Sequence, residues 1–211
     1  MKTEQLVELL ARQAGPAPHR AVERRIATAA TFGSIASATA AIQALGLNAN
    51  LADMGWALAA KVAYVVALML CAARFVDRIA RPATPWRKAL ESTVAVVLAM
   101  ALLAFTVWTQ GAESERLDLL LGKSWASCPW LVAALSLPAL VAAIWALRGL
   151  APTRPRWAGF AAGLFAGSLG ALGYALHCPE QSPLFVLVWY TVGVLLSACL
   201  GALLGPLLLR W

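Results

Sequence analysis

Two cysteines, a histidine and a glutamate are the residues of this sequence best placed to do chemistry. His177, Cys178 and Glu180 belong to one tetrapeptide, His-Cys-Pro-Glu, and Cys128 precedes a second proline. Two thiols on the same side of a membrane can close a disulfide in an oxidising compartment. Two thiolates, the imidazole of His177 and an oxygen of Glu180 suit a soft or borderline metal ion such as zinc, copper or cadmium. The residues alone leave a plain structural disulfide and a redox or metal sensor equally open.

Composition indicates which fold must position these groups. The chain of 211 residues is 61% hydrophobic and 13% charged, with a mean hydropathy of +0.74, which is outside the range of a soluble domain. A helix that crosses a bilayer needs about 20 mostly apolar residues. We predict an all-α polytopic membrane protein with a cytoplasmic arm, 1–26, and a transmembrane domain, 27–211. Its six predicted spans are 27–47, 57–77, 89–109, 128–147, 158–177 and 184–207.

The distribution of basic residues predicts the orientation. Most of the 17 lysines and arginines lie in the arm, in the breaks near 74–88 and 148–156, and at Arg210. Since basic loops stay in the cytoplasm, both termini are expected there. Cys128 and Cys178 are then at the outer surface, and Cys71 and Cys199 are within the membrane. The net charge of +7 indicates topology and attraction to anionic membrane lipid, not direct binding of nucleic acid.

The spans themselves contain few groups that could catalyse a reaction. Lys61 is expected to extend its ammonium to the outer face. Neither a catalytic site nor an obligatory cofactor is predicted. Small residues recur every fourth position on the last two spans, which predicts close packing between them; they are Gly159, Gly163 and Gly167, then Gly193, Ser197, Gly201 and Gly205. Trp145 and Trp189 are expected to pack between helices.

The start of the arm predicts a short amphipathic helix. Thr3 can cap it, and Leu6, Leu9 and Leu10 share one face. Two or three turns are not stable alone in water, so the helix needs a surface to cover its apolar face. That surface is either the membrane or the protein's own loops on one alternative, or the groove of a protein partner on the other. From the residues alone, the two alternatives are even.

Three stretches of the sequence resemble one known family. They are Met1-Lys2-Thr3-Glu4-Gln5-Leu6, the run from Leu176 to Phe185 that contains His-Cys-Pro-Glu, and Trp189-Tyr190-Thr191-Val192-Gly193. Together with Cys128-Pro129, the length and the number of spans, they resemble the NrsF family. Members of that family are negative regulators of sigma factors, with six spans in the inner membrane of Gram-negative bacteria.

The resemblance implies an anti-sigma factor. Such a protein would hold a sigma factor of the extracytoplasmic-function type at the cytoplasmic side. Metal or oxidative stress, sensed by periplasmic cysteines that correspond to Cys128 and Cys178, would release it. The resemblance also favours the arm, with Leu6, Leu9 and Leu10, as the sigma-binding element. A small metal or solute exporter and a structural subunit of a membrane complex are the alternatives, and the oligomeric state is open.

Overall fold

The apolar segments form helices joined by short connections in a computed structural model, which describes residues 3–13, 21–81, 84–150 and 152–210. No strand occurs in these ranges, so the predicted all-α class is confirmed for them. The helices are α1 (Thr3–Gln13), α2 (Ala21–Leu45), α3 (Gly55–Ala80), α4 (Arg87–Gln110), α5 (Arg116–Leu121), α6 (Cys128–Arg148), α7 (Pro155–Ala175) and α8 (Pro183–Leu208).

In the part of the chain that the structure describes, five helices are long and apolar enough to cross a membrane, by length and composition: α3, α4, α6, α7 and α8. Their ends differ from those of the predicted spans by only a few residues. The first predicted span corresponds to α2, which starts earlier, at Ala21. Its many Ala, Ser and Thr residues make α2 less apolar than the other five.

Helix α7 lies at the centre of the bundle and is buried along nearly all of its length. A Cβ atom on Gly163 would lie 2.7 Å from the Cα of Ala198, and one on Gly201 would lie 3.0 Å from the Cα of Gly163. Since these neighbours are backbone atoms, only glycine permits so close an approach. The predicted packing of the last two spans is therefore confirmed. Gly193 differs from the rest, because it faces Val132 of α6 instead.

The long helices alternate in direction, so the bundle has two ends. At one end the start of α2 meets the end of α6, where Arg25 donates to the carbonyl of Ala146 at 3.3 Å. The same end holds an aromatic cluster of Phe75, Trp86, Trp157 and Phe160. The opposite end carries the connections α2–α3, α4–α6 and α7–α8. The His-Cys-Pro-Glu turn lies there.

Trp145, which was expected to pack between helices, faces outward and is 70% exposed. Cys199 is also exposed on its helix, whereas Cys71 is buried. Trp145 and Cys199 lie on helix faces that no neighbouring helix covers, which spacing within one helix does not reveal. Trp189, in contrast, packs against Trp125 with ring centroids 5.5 Å apart.

Candidate functional site

The His-Cys-Pro-Glu turn joins α7 to α8 and is bonded to other parts of the chain on two sides. The imidazole of His177 donates from Nδ1 to the carbonyl oxygen of Gly46 at 3.2 Å. Beside it, the backbone N–H of Asn48 donates to the carbonyl oxygen of Leu176 at 3.0 Å. Together, these bonds hold the turn against the α2–α3 connection.

Glu180 binds the loop that leads into α6. Its Oε1 accepts hydrogen bonds from the backbone N–H of Lys123 at 2.7 Å and from the hydroxyl of Ser124 at 3.2 Å. Gly122 adopts a positive φ of 55°, and a Cβ there would lie 2.6 Å from Oε2 of Glu180. The carboxylate therefore fits closely over this loop. Oε1 is occupied by these bonds, so a metal ion could bind without breaking them only at Oε2.

Cys178 is the fully buried member of the turn, with an exposure of 0%. Its carbonyl oxygen accepts a hydrogen bond from Nζ of Lys61 at 3.1 Å. Lys61 is 1% exposed, and its Nζ lies 5.9 Å from the centroid of the Tyr190 ring. The expectation that Lys61 reaches the outer face is therefore wrong. The turn and α8 cover the start of α3, and the ammonium ends on a carbonyl inside the protein.

Cys128 begins α6 at the same end of the bundle and is also 0% exposed. It belongs to the same buried cluster as Cys178, and each thiol lies within electrostatic range of Lys61. Both are free cysteines in this structure. The expected placement at the surface is thus corrected, because the two thiols lie inside the protein at this end. Whether they form a disulfide or bind a metal ion stays a prediction.

Within the described ranges, no three His, Cys, Asp or Glu side chains are grouped to hold a metal ion. His177 donates from Nδ1 to Gly46, which leaves Nε2 for a metal ion, and Glu180 keeps Oε2 while Oε1 binds the loop before α6. In this conformation, however, the candidate ligands Cys128, Cys178, His177 and Glu180 are not grouped as a metal site. A transient soft-metal complex would require this end of the bundle to rearrange.

Sequence reasoning did not place three residues of neighbouring helices beside Cys178. They are Lys61 from α3, Tyr174 from α7, and Tyr190 from a π-helical turn, Val186–Tyr190, within α8. Tyr64 hydrogen-bonds to Thr191 at 2.6 Å, and the rings of Tyr174 and Tyr190 lie 5.7 Å apart. Isolated π turns occur often at functional sites. A lysine in an apolar span was the one available signal, since such residues are rarely without a role.

The predicted arm helix is present as α1. Val7 and Leu9 are exposed on it. The side chains of Leu6 and Leu10 lie outside the described part of the structure. Binding of a sigma factor by Leu6, Leu9 and Leu10 stays a prediction.

The structure thus defines an all-helical protein with five helices suited to a membrane and a buried thiol pair at one end. Residues 10–211 match the family described as NrsF, negative regulator of sigma F. The chain belongs to this family, as the resemblance predicted, and the family consists of regulatory proteins rather than enzymes.

Two relatives match the chain over its whole length and over theirs. One is described as a probable anti-sigma-F factor NrsF, from Azospira oryzae, and is 40% identical over 217 residues. The other is described as an anti-sigma-F factor NrsF, from Caulobacter vibrioides, and is 38% identical over 217 residues. No solved structure matches the chain.

Proposed function

We propose that this protein is a membrane-bound anti-sigma factor of the bacterial inner membrane. It holds a sigma factor of the extracytoplasmic-function type at the cytoplasmic side and releases it when Cys128 and Cys178 meet a periplasmic metal or oxidant. The protein itself does not contact nucleic acid. Full-length similarity to two anti-sigma-F factors supports the regulatory part of the proposal.

The proposal includes α2 as a sixth span, with both termini in the cytoplasm. Helix α2 has 25 residues, enough to cross a hydrocarbon core about 30 Å thick. It packs lengthwise on α6 and α7, with Gly33 against Ala139. Further along, the buried hydroxyl of Ser37 donates to the carbonyl of Leu169 at 3.2 Å. A helix in this position is as deep in the membrane as its neighbours. Basic residues at the end where α2 begins support the orientation.

The bonding of the His-Cys-Pro-Glu turn is the observation that carries the sensing proposal. His177 binds the α2–α3 connection, Cys178 binds Lys61 of α3, and Glu180 binds the loop before α6. A chemical change at Cys178 therefore alters contacts with several helices at once. If the bundle has two conformations, a signal shifts the equilibrium between them only by changing contacts that differ between the two. The turn offers contacts of this kind.

Two kinds of chemistry could act at the thiol pair. Oxidation would remove one electron and one proton from each thiol, pass them to an oxidant, and join the two sulfurs. A soft metal ion would instead displace the two protons and bind both thiolates. Either reaction must move Cys178, since the thiol is fully buried, and the hydrogen bond from Lys61 to its carbonyl would pass that movement to α3.

Helix α3 connects this end of the bundle to the root of the arm. At the far end of α3, Asp77 accepts two hydrogen bonds from Arg81 at 3.0 and 2.8 Å. Arg81 also lies 3.7 Å from Glu23, in the first turn of α2. A displacement of α3 would therefore reach the start of α2 and, through it, the arm that is proposed to bind the sigma factor.

The decisive experiment is copurification of the full protein with a sigma factor of this type in detergent, with and without cadmium or peroxide. The protein should retain the sigma factor until the metal or the oxidant is added. Replacing both Cys128 and Cys178 with Ser should preserve binding and abolish release. The matched control replaces Cys71 and Cys199 with Ser and should behave like the natural protein.

Two results would contradict the proposal in different ways. Normal release from the Cys128→Ser/Cys178→Ser protein would eliminate thiol sensing but leave the anti-sigma activity intact. Absence of any bound sigma factor would eliminate the anti-sigma activity itself. Metal flux through vesicles that contain the purified protein would then favour an exporter.

A further inference from the structure

A basic cavity of about 340 Å³ opens at the end of the bundle opposite the His-Cys-Pro-Glu turn. It lies between the end of α3, the segment that leads into α4, and the residues just before α7. Its size is within the range of small-molecule sites. The described residues that line it are Arg78, Ile79, Arg81, Thr84, Pro85, Trp86, Thr153 and Arg154.

The polar groups of this cavity are suited to an anion. Three arginines and two threonines line it, and none of the described lining residues is acidic. Arg81 is partly neutralised, because it binds Asp77 and lies near Glu23; the hydrogen bonds that it donates to Asp77 also raise the pKa of Arg81 above its ordinary value. Arg78 and Arg154 add two further positive charges. The planar fork of donors on each guanidinium matches the oxygens of a phosphate.

The surroundings indicate that the anion belongs to a lipid. The guanidinium of Arg154 lies 5.9 Å from the Trp86 ring, and Trp86 lies 4.9 Å from Trp157. Both tryptophans stand at the starts of membrane helices, the depth at which such rings meet lipid headgroups. Basic cavities between spans at this depth are suited to anionic lipid headgroups. A site for an acidic protein segment would not need to lie at headgroup depth.

We propose that this cavity binds the phosphate of an anionic phospholipid, with Arg78 and Arg154 as the principal contacts. The inference is independent of the sigma factor and of the cysteines. Such a lipid would bridge the end of α3 to the residues just before α7, next to the place where Phe75 of α3 packs against Phe160 of α7.

Native mass spectrometry of the full protein can test the site with phosphatidylglycerol, with zwitterionic phosphatidylethanolamine, and with inorganic phosphate as a competitor. The natural protein should bind phosphatidylglycerol at least about tenfold more tightly than phosphatidylethanolamine. Arg78→Gln/Arg154→Gln should lose about tenfold in affinity for phosphatidylglycerol, since charged hydrogen bonds are lost. Arg87→Gln/Lys88→Gln removes the same charge from the nearby start of α4, outside the cavity, and should bind normally.

Equal losses in the two double variants would overturn the proposal, because the attraction would then be diffuse. Full displacement of lipid by millimolar inorganic phosphate would assign the cavity to a free anion instead. If a purified sigma factor displaces the lipid and also requires Arg78 and Arg154 in lipid-free detergent, the cavity is a protein-binding site. The single variant Arg154→Gln, at an exposed residue, provides the same test if the double variant does not fold.

Discussion

Lys61 links the chemistry of the His-Cys-Pro-Glu turn to α3. An ammonium group inside a membrane protein is costly unless polar groups surround it. Here the carbonyl of Cys178 accepts from Nζ at 3.1 Å, and the face of Tyr190 lies 5.9 Å away. The lysine therefore holds the buried cysteine through its backbone, so movement of that backbone changes the environment of the charge.

Replacing Lys61 with Met should uncouple the sensor from the rest of the bundle. Methionine fills a similar volume without a charge. Since a buried charge contributes little net stability, the variant should unfold at nearly the natural temperature. It should still repress the sigma factor, but induction by metal or oxidant should fall severalfold, because Cys178 no longer binds α3. A reporter of sigma activity and thermal unfolding in detergent measure the two effects.

The matched control for this variant is Lys88→Met. It removes a lysine charge from an exposed position at the opposite end of the bundle. Induction in this control should remain normal. Full induction in Lys61→Met, at normal protein levels, would show that α3 does not carry the signal through this contact.

Helix α1 is the element whose stability depends most on contact with another surface. It has 11 residues, too few to be stable alone in water. Val7 and Leu9 are exposed on it, so part of its apolar face is uncovered in the structure. A helix with these properties folds firmly only against another surface, such as the groove of a protein.

Leu9→Asp should release the sigma factor without removing the protein from the membrane. A carboxylate on the apolar face opposes burial in a protein groove, and the loss of one central leucine contact costs about 2 kcal/mol or more in binding. Sigma activity without any inducer should therefore rise by an order of magnitude or more. The control Ala11→Asp introduces the same side chain on the other face of the predicted helix. If both variants repress normally, the arm is not the main contact.

The sequence was sufficient to predict the five long apolar helices α3, α4, α6, α7 and α8, because each depends on a continuous run of apolar residues. It also predicted the contact of α7 with α8, since a glycine repeat marks the face of each helix. The partners of Lys61 and Glu180 were beyond such reasoning. Lys61 binds a carbonyl of residue 178, and Glu180 binds residues 123 and 124, so both contacts depend on how distant segments pack. Burial of the two cysteines has the same origin.

At the scale of the whole molecule, charge distinguishes the two ends of the bundle. Apart from the buried Lys61, the basic residues at the end with the His-Cys-Pro-Glu turn are Arg116 and Lys123. The same end carries five acidic residues: Asp53, Glu113, Glu115, Asp118 and Glu180. The opposite end carries most of the 17 lysines and arginines. In a membrane, this asymmetry favours the basic end in the cytoplasm. In the proposed orientation, the basic cavity is cytoplasmic and the thiol pair is periplasmic.

The number of spans determines on which side the arm lies, so one position in α1 can test the whole arrangement. In a protein with all four cysteines replaced by Ser, Gln5→Cys should resist a membrane-impermeant maleimide in intact cells and react after the membrane is opened. Ser114→Cys, in the exposed connection after α4, should react in intact cells, and Arg210→Cys should not.

If α2 does not cross the membrane, Gln5→Cys will react as readily as Ser114→Cys, while Arg210→Cys stays protected. Reversal of the whole protein would instead expose Gln5→Cys and Arg210→Cys together and protect Ser114→Cys. Of these three arrangements, only six spans with both termini inside leave the arm free to meet a cytoplasmic sigma factor.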